Sequence, residues 1–164
     1  IIEVNNALNG DGPFAPTRSG KVPAIDLIEM CFSGKYSEEE LKELITKKGG
    51  LVSHLGTSDA RDVVKMIAEG NEYAKLVYDA MIYQVAKEIG AQSVVLKGKV
   101  DAIILTGGMA YDEYFIKTLK EYISFIGKVV IIPGEEEMQA LSNGVLRVLN
   151  GEEKAQEYTG VPVK

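Results

Sequence analysis

With 164 residues, 46% of them hydrophobic and 26% charged, the chain has enough apolar material to bury one sizeable core, and a single domain is expected. A formal charge of −6 leaves no basic stripe to neutralise a phosphate backbone, which argues against nucleic-acid binding, and no apolar run approaches the roughly 18 residues of a membrane span. The single cysteine, Cys31, rules out an internal disulfide framework and a multi-thiolate metal site, and it suits a reducing compartment, the cytoplasm.

Residues 1–4 read as the tail of a strand. Residues 5–22, "NNALNGDGPFAPTRSGKV", follow neither the strand nor the helix period and are dense in Gly, Asn and Pro, so they form a long loop, a kind of segment that often carries function. Pro23 suits the first turn of a helix whose apolar Ile25, Ile28 and Phe32 recur at helical spacing and which Gly34 ends. In "YSEEELKELITKKGG", Ser37 and Glu40 have capping-box spacing, acids come early, lysines come late, and Gly49 reads as the C-cap.

A short linker then leads to a second capped helix over residues 59–69, stopped by Gly70. A long helix follows from Asn71 past Ile89, with Ala74, Val77, Met81, Val85 and Ile89 on one stripe and Gly90 interrupting it only mildly. The last third changes character: residues 100–105 form an apolar strand, 112–126 a helix, 129–132 a second apolar strand and 135–150 a helix. Unbroken apolar runs are expected of parallel strands covered on both faces, which predicts an α/β architecture with a right-handed crossover.

The first of these strands ends in "IILTGG", and in open α/β sheets ligands collect beyond such carboxyl ends. Gly107 and Gly108 either let the backbone come close to a flat ligand or make a tight strand-to-helix turn with nothing bound. The pattern is neither GxGxxG nor GxxxxGK[ST], so it carries neither the dinucleotide nor the P-loop fingerprint. Arg18, in the unpatterned "PTRSG", is either a solvated surface residue or a planar fork for the oxygens of a migrating phosphoryl group.

In "GTSDARD", Asp59 and Arg61 open a helix, where Asp59 suits an N-cap. Glu135, Glu136 and Glu137 after "IIPG" are favoured by a helix dipole and need no ligand on that account. His54 reads as structural, since no serine or cysteine pattern places it in a triad. Cys31 reads as a buried small hydrophobe, and Tyr111, Tyr114 and Phe115 as core or groove packing.

Four stretches, "VNNALNGDGPFAPTRSG", "LGTSDARDV", "VDAIILTGGMAYD" and "PGEEEMQAL", together resemble the C-terminal half of the butyrate kinases, within the acetate kinase family of acyl kinases and the wider actin-like ATPase group. The resemblance implies an α/β fold of the ribonuclease H-like (actin-like ATPase) type, a partial parallel sheet with helices and a helix-rich insertion. Residues 1–164 would be the C-terminal nucleotide-binding domain, with the N-terminal domain and a His-Leu-Gly-Gly-Gly type phosphate loop upstream of residue 1. A sheet without its neighbouring strands would leave an edge that favours association with another chain.

The resemblance makes Arg18 the catalytic residue, through the shared Thr-Arg-Ser-Gly. Asp59, Ala60, Arg61, Gly107, Gly108 and Met109 lie at the adenosine in such enzymes. Glu136, with Glu137 beside it, matches a glutamate near the metal in a "PTNEE" stretch. The implied reaction is butyrate plus ATP to butyryl phosphate plus ADP, with ATP and Mg²⁺ as cofactors, homo-oligomers formed through this domain, and neither nucleic acid nor membrane as partner. The alternatives are an acetate or branched-chain fatty acid kinase, a non-catalytic nucleotide-binding or assembly domain, and an α/β domain with no ligand. The chain by itself is expected to have little or no kinase activity.

Overall fold

The computed structural model describes residues 2–157 and residue 160. The elements run α1 (Ala24–Phe32), α2 (Glu38–Thr46), α3 (Gly50–Leu55), α4 (Ala60–Ala68), α5 (Glu72–Val95), β1 (Ala102–Gly107), α6 (Glu113–Ile123), β2 (Lys128–Pro133) and α7 (Glu137–Leu149), with 3-10 turns at Ala7–Asn9 and Gly108–Tyr111. Short polar side chains start most of the helices. Ser37 accepts from the Glu40 N–H at 3.2 Å while Glu40 accepts from the Ser37 N–H at 2.7 Å, closing the capping box on α2. Asp59 caps α4, Asn71 caps α5 and Asp112 caps α6 in the same chemical manner.

β1 and β2 pair in parallel from Ala102↔Lys128 to Gly107↔Pro133, and α6 makes the crossover between them. The core lies between one face of this sheet and the helices α4, α5 and α6. Tyr78, Leu51, Ile82, Leu119, Ile123 and Val63 are fully buried there, with Ile103 and Ile131 packed in from the strands. α5 is its axis, because Ala74, Val77, Tyr78, Met81, Ile82 and Ala86 all turn inward.

Five expectations are corrected. Residues 2–4 take no strand conformation, because no described strand lies alongside to share hydrogen bonds, and residue 1 lies outside the described residues. Gly49 is not the C-cap of α2, a place that Lys47 takes, and the expected linker contains α3. Tertiary backbone contacts explain this: the N–H groups of Ser19, Gly49 and Val52 bond the carbonyls of Ile45, Thr17 and Pro16 at 2.9, 3.1 and 3.0 Å, which zips the Arg18 loop onto α2 and α3.

The sheet is covered on one face only among the described residues, since Ile104 on the other face is 61% exposed. Cys31 is exposed, because α1 buries none of its residues. α7 buries none either, so the apolar stripes of both helices, including Phe32 and Met138, face outward. Among the described residues no helix is long and apolar enough to cross a membrane.

Candidate functional site

β1 ends at Gly107 with φ 83° and ψ −176°, a conformation open almost only to glycine. Gly107 exchanges both backbone hydrogen bonds with Gly134 at 3.1 Å, so the two strands finish level with each other. Gly108 has an ordinary φ and opens the 3-10 turn, and a Cβ added there would meet nothing within 4 Å. The first glycine is thus required by the backbone, while the second leaves space open.

Opposite this turn stands the start of α4. Thr57 Oγ1 accepts from the Asp59 N–H at 3.1 Å and donates to Asp62 at 2.9 Å, which fixes the approach to the helix. Asp59 accepts from the Arg61 N–H at 2.9 Å, and the Arg61 guanidinium holds its carboxylate with Nε at 2.9 and 3.1 Å and Nη2 at 2.6 Å. The Arg61 side chain foremost, then the Arg61 backbone N–H, lowers the Asp59 pKa from 3.8 to about 2. At neutral pH the pair is therefore an anion held by a cation, both at the mouth of the helix.

The two turns line one cleft of about 910 Å³, within the size range of small-molecule sites. Asp59, Ala60, Arg61, Gly108 and Met109 all face it, with Ser58, Val64, Tyr111, Asp112 and Glu113, and Gly107 stands just behind at the strand end. The family model for the acetokinase family matches residues 11–142. The chain belongs to the acetokinase family.

This acetokinase-family chain is similar in fold to the acetate kinase of Porphyromonas gingivalis, with a TM-score of 0.73 and 24% identity over 83% of this chain and 41% of that one. The acetate kinase of Entamoeba histolytica aligns with a TM-score of 0.72 and 22% identity over 82% of this chain and 43% of its own. A propionate kinase from Francisella tularensis subsp. tularensis SCHU S4 gives 0.69 and 23% over 78% and 39%. The chain therefore spans less than half the length of these relatives, and its fold is α/β of the actin-like ATPase type that they share.

Arg18 is not among the residues lining the cleft. Its loop is fastened at the N-terminal end of α3, while Asp59 follows the C-terminal end, and the six residues of α3 span about 9 Å. Among the described residues no carboxylate lies within salt-bridge distance of the Arg18 guanidinium, so it stays uncommitted. Glu136 is the N-cap residue of α7, is exposed, and makes no side-chain cap bond. No group of three His, Cys, Asp or Glu among the described residues could hold a metal ion. One free carboxylate without a protein cage fits a magnesium ion that arrives mostly coordinated by phosphates and water.

Ser58, Asp112 and Glu113 also line the cleft and escaped the sequence reading; Tyr111, read as core or groove packing, lines the cleft and is 69% exposed. Asp112 carried a usable signal, an acid directly before a helix start and four residues after the glycine turn. His54, read as structural, is exposed; its Nδ1 is 3.1 Å from the Tyr73 hydroxyl and its ring lies 6.2 Å from that of Phe14.

Proposed function

We propose that this chain is the C-terminal nucleotide-binding domain of an ATP-dependent carboxylate kinase whose acceptor is butyrate. The observation that carries the reading is the meeting of the Asp59–Arg61 turn and the Gly108–Met109 turn across one cleft. Adenosine would lie there against bare backbone, with Gly108 contributing no side chain to hold it off. The phosphates would extend along α3 towards Arg18, whose guanidinium pairs with no carboxylate among the described residues and would gather charge on the transferring group.

In the reaction a butyrate oxygen attacks the γ-phosphorus in line. The new O–P bond forms as the bond from phosphorus to the bridging oxygen breaks, and ADP leaves with that electron pair. The chain's part is positioning and charge stabilisation, since the chemistry asks for no covalent intermediate. Magnesium, when bound, would neutralise phosphate charge, and Glu136 is the carboxylate we assign beside it. Homo-oligomers through this domain and a cytoplasmic location belong to the same proposal; the outward apolar stripe of α1 supports the first.

The test is acyl hydroxamate formation by the complete gene product from ATP, hydroxylamine and butyrate, run beside acetate and propionate because the structural relatives are named for those acids. Butyrate should give the highest kcat/KM, and Arg18→Ala should abolish product while nucleotide affinity stays within about twofold. Nucleotide binding without acyl phosphate from any of the acids would favour a binding module instead.

A further inference from the structure

Asp112 serves two masters. Its Oδ1 accepts from the N–H groups of Tyr114 and Phe115 at 2.9 and 3.1 Å and so starts α6, while its Oδ2 accepts from the hydroxyl of Tyr78 on α5. Its own N–H bonds the Met109 carbonyl at 3.1 Å, closing the 3-10 turn that lines the cleft. A second link runs alongside: the Tyr114 hydroxyl donates to Asp79 at 2.7 Å, Lys75 holds Asp79 at 2.5 Å, and the rings of Tyr78 and Tyr114 stack with centroids 6.0 Å apart.

Tyr78 is wholly buried, and a buried hydroxyl left without a partner is costly. Here the partner is a cleft residue rather than a distant carbonyl. Burial foremost, then Asp112, pushes the Tyr78 hydroxyl far above its ordinary pKa, so it remains a donor at working pH. From this geometry we propose that Tyr78 is a positioning residue: through Asp112 it pins the Gly108–Tyr111 turn to α5 and sets the backbone surface on which the nucleotide lies. The inference rests on the nucleotide reading above.

The test uses the complete gene product with Tyr78→Phe, which keeps the ring, and Asp112→Asn, which keeps a cap acceptor. Tyr78→Phe should weaken ATP and ADP binding about five- to tenfold by calorimetry while kcat and the carboxylate KM stay within about twofold. The double variant should bind no more weakly than the weaker single one, because the two changes break one interaction. The Gly108 and Met109 amide resonances should shift in nucleotide-free Tyr78→Phe. Unmoved resonances, or wild-type nucleotide affinity with only a lower Tm, would overturn the inference. A wild-type protein that binds no adenine nucleotide would instead overturn the kinase reading, and the amide shifts would still report on the turn.

Discussion

The chain contains two adjacent-glycine pairs, Gly49–Gly50 and Gly107–Gly108, and each stands where one element hands over to the next. At Gly50 an added Cβ would sit 1.6 Å from the carbonyl oxygen of Ala15 and 2.8 Å from that of Arg18; at Gly108 it would meet nothing within 4 Å. In the first pair the space of a side chain is already filled by backbone, which holds the Arg18 loop on its helices. In the second it is left open towards a cleft. A glycine pair therefore reports closeness of approach without saying whether the visitor is protein or ligand.

The contrast orders the expected effects of substitution. Gly50→Ala should be the most damaging, costing more than about 3 kcal/mol in urea unfolding, because a rigid carbonyl must move and the residue sits at φ 59°. A loss under about 1 kcal/mol would mean that the loop is not packed as described. Gly107→Ala should cost about 1–3 kcal/mol from its positive φ alone, since its Cβ has room.

Gly108→Ala should leave stability within about 0.5 kcal/mol yet weaken nucleotide binding about tenfold or more, and an unchanged Kd would remove the cleft from consideration. The smallest effect concerns acid. Asp59 has a folded-state pKa of about 2 against an ordinary 3.8, so its contribution is complete above pH 4 and lost as pH falls towards 2. Asp59→Asn should flatten that part of the stability profile, and Arg61→Ala should flatten it too, since the guanidinium is the leading cause of the shift.

Local chemistry was readable in advance where it acts over three or four residues. The capping box of Ser37 and Glu40, the cap at Asp59, the long α5 starting near Asn71 and the β1–α6–β2 order all follow from spacing alone. The candidate site was readable in parts: the motifs at 59–61 and 107–109 meet in the cleft, Arg18 stands apart from it, and Asp112 with its buried tyrosine went unseen. A period tells which side of a helix is apolar and nothing about whether anything covers it. Thus Ile25, Ile28 and Phe32 form the expected stripe and still face outward, and Cys31 is exposed with them.

By itself, then, the sequence of this protein determined the types of its longer elements, the caps at Ser37 and Asp59 and its likeness to a family's motifs, because those depend on neighbours along the chain. Only the tertiary structure decided which glycine pair is packed and which is open, that α3 replaces a linker, and that a core hydroxyl reaches the cleft. Each of those depends on segments far apart in sequence meeting within a few ångströms, and no local pattern carries that distance.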